Sequence, residues 1–245
     1  MPKLLMLIQK NDFIEIEFTG KVKDGEVFDS NIKKDLEKLD QGHSHEIEAK
    51  PLVICIGQGM FLKGVEDYLT GKDLGAYEIS LTPERAFGNR MPQFVQMIPS
   101  KIFKEQKLTP YPGASFNFDG RVGRVLTVSG GRIMVDFNNP LAGKDVYYSI
   151  KILRKVDDLN EKINAFIDFL FRQNLKFEVK EKTLTIYTPK QMTKFIELFA
   201  DKFKEIFDLE LKVEKTDEET RPSVAELEEV KEEKKEVKET KNEMA

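Results

Sequence analysis

Near Val156 the dominant spacing of the hydrophobic residues switches from two to about 3.6, and that switch limits what the chain can fold into. Before it lie strands. In Phe13-Ile14-Glu15-Ile16-Glu17-Phe18 the apolar side chains Ile14, Ile16 and Phe18 share one face and the two Glu the other, the pattern of a half-buried strand. Lys23-Asp24-Gly25-Glu26 signals a turn, and Val27-Phe28-Asp29 completes a hairpin. Residues from about Ser30 to Lys50 are polar and read as a surface connection with room for a short helix. Leu52-Val53-Ile54-Cys55-Ile56 is continuously apolar, as a strand buried on both faces would be, and Gly57 and Gly59 stop it. Phe61, Leu62, Val65 and Leu69 have helical spacing; Tyr77, Ile79 and Leu81 alternate again.

After Pro83-Glu84-Arg85-Ala86-Phe87-Gly88 the character changes. Residues 89–136 hold a Pro-flanked apolar stretch, a short helix near Lys101–Glu105, and a hairpin of Leu126-Thr127-Val128 and Ile133-Met134-Val135 around Gly130-Gly131. Val146–Ile152 then alternates, with Tyr148, Ile150 and Ile152 on one face. Beyond Val156, Ile163, Phe166, Ile167, Leu170 and Phe171 form one helical stripe, and Phe195, Ile196, Phe199, Phe203, Ile206 and Phe207 a second. Asp157 or Asp158 suits the N-cap of the first helix, and Thr188-Pro189 the start of the second. Short strands are expected at 176–180, 183–187 and 210–213.

Charge and composition exclude several functions. The formal charge is −4. From Lys215 onward there are 11 acids and 7 bases, so the preceding chain is balanced and no basic domain argues for nucleic acid. The Glu/Lys-rich tail carries too little apolar surface to offset the entropy of ordering. Leu4–Ile8 is shorter than a signal-peptide core, and no later stretch approaches a membrane span, so an unexported, cytoplasmic protein without membrane contact is expected. The single Cys55 sits in an apolar run and reads as a buried thiol. His43 and His45 have no further His or Cys nearby, so neither metal nor cofactor is expected.

Four segments carry a resemblance. Phe18-Thr19-Gly20 with Gly25-Glu26-Val27-Phe28-Asp29-Ser30 is the first, and Pro51–Gly59 with Leu62-Lys63-Gly64-Val65-Glu66 the second. Pro83–Gly88 and Asn138–Lys144 follow in the same order. Together, interrupted after Gly88, they resemble the FKBP family of peptidyl-prolyl cis-trans isomerases, in particular its SlyD-like and long archaeal members with an inserted-flap domain. The resemblance covers roughly residues 10–154. It implies an FKBP-like curved antiparallel sheet around a short helix, interrupted by a small β-rich insert, and the helical stripes beyond Val156 add a separate α+β C-terminal domain of two amphipathic helices, an α+β architecture overall. The expected limits are 1–88 with 137–154 for the isomerase domain and 89–136 for the insert. The C-terminal domain takes 155–215 and the charged tail 216–245.

The implied reaction is rotation about an X–Pro bond, against a barrier of about 18–20 kcal/mol set by amide resonance. It requires no acid, base or cofactor, only a pocket that removes water from the planar, charge-separated amide. Carried over from the family, that pocket comprises Phe18, Phe28, Leu52, Phe61, Leu62, Val65, Phe87 and Tyr148, with Asp29 at the rim; in the family the backbone N–H matching Leu62 binds a ligand carbonyl. Phe18, Val65 and Phe87 stand where many members have Tyr, Trp and Tyr, a cup with fewer hydrogen-bond donors. The insert offers Phe94, Val95, Met97, Ile98, Ile102 and Phe103, adaptable apolar groups suited to holding unfolded chains. The expected partners are unfolded polypeptides with X–Pro bonds and a second copy of the chain, bound through residues 155–217. The competing reading is a weakly catalytic holdase for apolar or proline-containing segments.

Overall fold

A computed structural model describes residues 7–23, 25–39 and 49–215. Most of Leu4–Ile8, both His43 and His45, and the tail from residue 216 lie outside them. By internal packing the chain divides into two compact units, Met1–Phe166 and Ile167–Ala245.

The first unit is built on a five-stranded sheet. Strands β1 (Phe13–Val22) and β2 (Val27–Ser30) form the expected hairpin, and the polar connection holds helix α1 (Lys33–Leu39). Strand β3 (Leu52–Cys55) pairs with Phe13–Ile16 of β1, on the same edge that β2 occupies further along. β3 is thus an edge strand: Leu52 at its start is 37% exposed, while the successive residues Ile54 and Cys55, on opposite faces, are both fully buried. Ile56, just past the end of β3, is also buried in the core, and β1 is the strand's hydrogen-bonded neighbour in the sheet. Helix α2 (Lys63–Leu69) leads to β4 (Ala76–Leu81), and β9 (Val146–Lys155) closes the sheet between β1 and β4. Ile14, Ile16, Ile54, Val65, Leu69, Val146 and Tyr148 are all buried in one cluster. Burial of each such side chain contributes about 1.5–3 kcal/mol.

The helix expected from Phe61 begins two positions later. Leu62 caps it in an extended conformation (φ −59°, ψ 127°), so Phe61 and Leu62 belong to the preceding loop. Their apolar spacing reports a shared buried side, not a shared helix.

Between β4 and β9 the chain leaves the sheet and forms a second one. Strands β5 (Val95–Pro99), β6 (Ser115–Phe118), β7 (Arg121–Ser129) and β8 (Arg132–Asp136) are ordered β5-β8-β7-β6, with helix α3 (Ser100–Glu105) between β5 and β6. The β7–β8 hairpin turns at Gly130 and Gly131, whose positive φ values of 54° and 80° suit a two-residue turn of the kind that matches strand twist. Phe103, Val125, Ile133 and Val135 form this insert's own core.

Helix α4 (Leu159–Phe171) opens with the Asp158 carboxylate accepting the Glu161 N–H at 2.8 Å, a cap the sequence anticipated. The division between the two units falls inside α4. The second unit carries β10 (Phe177–Lys180), β11 (Thr183–Thr188) and β12 (Glu210–Lys215), with β10 antiparallel and β12 parallel to β11. A parallel neighbour demands a long crossover, and the second helical stripe supplies it. That stripe is two helices, α5 (Thr193–Glu197) and α6 (Ala200–Phe207), not one starting at Pro189. A tight Phe199 N–H to Ile196 carbonyl bond of 3.0 Å marks the break. Phe199 there meets the rings of Phe171 and Phe195 at 5.4 Å each, a contact made at the turn between the helices.

Candidate active site

The side chains assembled on β1, β2 and β9 owe their arrangement to one glycine and one bulge. Gly20 faces Tyr148 across one ladder and Asp29 across the other. A Cβ at Gly20 would lie 2.9 Å from both Phe28 and Tyr148 ring carbons, so only glycine lets the two rings close over the strand. The register of β1 against β2 slips after Gly20, pairing Asp29 with Gly20 and Val27 with Lys21 and leaving Phe28 as the extra residue. A bulge of this kind re-aims a side chain. Here the Phe28 ring stands edge-on to Tyr148 at 5.7 Å and 88°, and edge-on to Phe87 at 5.7 Å and 83°.

The array continues on the other side of Tyr148. Phe61 lies 5.4 Å from Tyr148 and 4.8 Å from Phe18, both edge to face, and Phe18 is 6.3 Å from Tyr148. Such pairs add about 0.5–1.5 kcal/mol beyond their area burial and hold ring orientations. Val65 and Tyr148 are fully buried, while Phe28, Phe61, Leu62 and Phe87 are half-buried and pack on the same core. Thus Phe18, Phe28, Phe61, Leu62, Val65, Phe87 and Tyr148 converge, whereas Leu52 sits exposed at the end of β3, opposite Ile16.

Two polar groups accompany the rings. Desolvation among its neighbours raises the Asp29 carboxyl above the usual carboxylate range, opposed in part by a hydrogen bond from the Ser30 backbone. Burial pushes the Tyr148 phenol well above its ordinary value, and the Asp29 charge adds to the rise. The phenol therefore stays protonated, and among the described residues its O–H has no hydrogen-bond partner. Phe87, in the turn after Pro83–Arg85, brings no hydroxyl to the array; Tyr148 carries one on β9.

Glu66 is the residue that sequence reasoning quoted and left without a role. It is 3% exposed on α2, and its carboxylate accepts the backbone N–H groups of Gly57 at 2.9 Å, Gly59 at 3.2 Å and Phe61 at 2.8 Å. It clamps the whole loop that presents Phe61 and Leu62. Gly64, two residues earlier, allows α2 to approach the Pro83–Arg85 turn: a Cβ there would lie 2.4 Å from the Arg85 carbonyl oxygen. The signal for Glu66 was present: it stands four residues after Leu62 and three before Leu69, on the apolar side of the helix.

On the insert the six expected residues separate. Met97 is 57% and Ile102 39% exposed; Phe94, Val95 and Ile98 are half-buried. Phe103 does not belong to a surface at all: it is 1% exposed at the centre of the insert's core, edge-on to Phe116 and Phe118, because a sheet this small needs one large ring to fill its single face. Among the described residues no group of three or more His, Cys, Asp or Glu could hold a metal ion, and no helix is long and apolar enough to cross a membrane. Cys55 is buried.

Comparison with known proteins bears on both sheets. The family described as FKBP-type peptidyl-prolyl cis-trans isomerase matches residues 6–109, and the IF domain of FKBP26 matches residues 96–141. The FKBP-type 16 kDa peptidyl-prolyl cis-trans isomerase of Escherichia coli is 30% identical over 152 residues, which are 60% of this chain and 92% of that protein. The short-type peptidyl-prolyl cis-trans isomerase of Methanocaldococcus jannaschii is 27% identical over 150 residues, 61% of this chain and 94% of the relative. The SlyD isomerase of Aeromonas hydrophila is 30% identical over 144 residues, 57% of this chain and 60% of the relative.

Proposed function

Because the chain belongs to the FKBP-type peptidyl-prolyl cis-trans isomerases and is an isomerase of that kind, we propose that X–Pro bonds rotate over the ring array of Phe18, Phe28, Phe61, Phe87 and Tyr148. Leu62, Val65 and the Asp29 rim complete this surface. One observation carries the reading: edge-to-face ring contacts run without interruption from Phe61 through Tyr148 and Phe28 to Phe87. A proline segment laid on these rings loses water from its amide, and the twisted, less polar transition state gains relative to the planar ground state. The Tyr148 hydroxyl offers a donor to a peptide carbonyl, and the Leu62 amide, clamped through Glu66, lies in the neighbouring loop. Asp29 orients the chain and need not exchange a proton.

In this reading the limits 1–88 with 137–154, 89–136, 155–215 and 216–245 mark isomerase domain, insert, C-terminal domain and tail, in a cytoplasmic protein that acts on unfolded chains and dimerises through its C-terminal domain. The insert serves as a chaperone module. Exposed Met97 and Ile102 support that role, and equally support the alternative of a holdase with weak turnover. Client chains held on the insert would meet the rings at raised local concentration.

A cis–trans exchange assay on a proline peptide and on a slow-refolding protein separates the readings. Phe87→Ala and Asp29→Ala should each lower peptide kcat/KM, Phe87→Ala by about tenfold, equivalent to about 1.4 kcal/mol of lost discrimination. Unchanged rates in both variants would refute the site. Replacing residues 89–136 by a short loop should spare peptide turnover and abolish assisted refolding.

A further inference from the structure

The root of the insert holds a cavity of about 380 Å³ that the ring array does not line. Arg90, where the chain enters the insert, contributes to its wall, as do Arg124 on β7 and Lys144 on the return segment. Asp136 is the acidic residue facing these three cations. Its carboxylate, 12% exposed, already accepts Arg90 and both the backbone N–H and the side-chain amide of Asn138, at 3.0 and 2.6 Å. Arg124 and Lys144 make no ion pair among the described residues. The cavity is therefore lined by three cations and one carboxylate, with Asp136 standing opposite Arg124 in the β7–β8 ladder and Val122, Leu126 and Pro140 adding apolar lining.

We infer that this cavity is a subsite for a carboxylate side chain carried by the same polypeptide whose X–Pro bond lies on the rings. Its position argues for a tethered group. Pro140, Ala142 and Lys144 line the cavity, while Leu141 between them packs on the same core as Phe28, Phe61 and Phe87. The Gly143 N–H bonds to the Gly88 carbonyl at 2.8 Å, one residue from Phe87. One short connection thus forms both the cavity wall and the support of Phe87. A free anion gains little from exposed cations. An Asp or Glu in a chain already seated on the rings enters at a high effective concentration. The preferred client is a proline segment with an acidic residue near the proline, and the proposal rests on the ring array being the isomerase site.

The test uses full-length protein and two series of proline peptides, with Glu or Gln scanned along the flanking positions. At one or more registers the Glu peptide should show kcat/KM about two- to fivefold higher than its Gln partner, through KM. High salt should erase that preference in the parent protein. The double variant Arg124→Gln/Lys144→Gln should erase it too while turning over Gln peptides at the parental rate. Arg124→Glu/Lys144→Glu should prefer Lys peptides at the same register. Equal kcat/KM for Glu and Gln peptides at every register, or a preference that survives salt or either variant, overturns the subsite. Failure of the isomerase assignment reads differently, as no turnover of any peptide by the parent. The subsite is then decided by peptide anisotropy: tighter binding of Glu than Gln peptides, reversed in the charge-reversed protein, upholds it, and equal binding overturns it.

Discussion

A buried carboxylate is costly unless its oxygens are satisfied, and Glu66 is satisfied by three backbone amides of the loop before α2. Glu66→Ala should lower stability by about 3–5 kcal/mol, since charge-assisted hydrogen bonds contribute about 1.5–3 kcal/mol each and losses in one network do not add. Glu66→Gln keeps one acceptor oxygen; it should cost roughly half as much and still lower peptide kcat/KM about tenfold as Phe61 and Leu62 loosen. Urea unfolding beside the exchange assay measures both, and full turnover in the Gln variant would remove Glu66 from the positioning role. Asp29 makes a separate prediction in pH. Its folded pKa is raised, so its contribution to stability is complete in acid, below the unfolded pKa, and is lost as pH rises through the folded value. Asp29→Asn should therefore match the parent in acid and exceed it at neutral pH. A variant advantage that instead appears only in acid would reverse the sign of the argument.

The bulge in β1–β2 and the loop before α2 show how much depends on where regular structure is interrupted. Period-two alternation located β1 and β9 and a turn signal located β2, yet neither could announce that Phe28 would be the unpaired residue that meets Tyr148 and Phe87. In the insert the corresponding close approach is at Gly123. A Cβ there would lie 2.5 Å from Val135 Cγ1 and 2.7 Å from the Phe137 ring, inside the core around Phe103. Gly123→Ala should destabilise the insert by about 1–3 kcal/mol, the usual cost of overpacking. Hydrogen exchange should show lost protection at Ile133 and Val135 with β1 and β9 unchanged, and peptide turnover should persist. Loss of protection in both sheets would mean that the insert does not fold as its own unit.

For the molecule as a whole, the second unit leaves apolar surface uncovered: Phe195 is 47% and Leu198 78% exposed on and just after α5. The proposed homodimer through residues 155–217 would bury such surface. Light scattering of the intact protein should give twice the chain mass, and Phe195→Glu/Leu198→Glu should halve it. A monomeric mass for the parent would end that proposal. Reading the sequence as one long helix from Pro189 missed the break because period alone does not record a helix that turns. Leu198 sits at that break and faces solvent, although an unbroken helix would place it beside the Phe-rich stripe.

What the sequence determined by itself is the order and kind of elements. Alternation, helical spacing and turn residues act over a few positions, so β1, the 130–131 hairpin, α4 with a cap at Asp157 or Asp158, and the small C-terminal strands were all legible. The motifs around Phe28-Asp29 and Phe87-Gly88 were read through their resemblance to the family. Only the tertiary structure decided which of these side chains meet. It left Leu52 at an exposed edge, drew Phe103 into a core, gave Glu66 three amides to hold, and set Arg124 and Lys144 around one cavity. Each of those outcomes depends on contacts between residues far apart in the chain, and local periodicity carries no term for them.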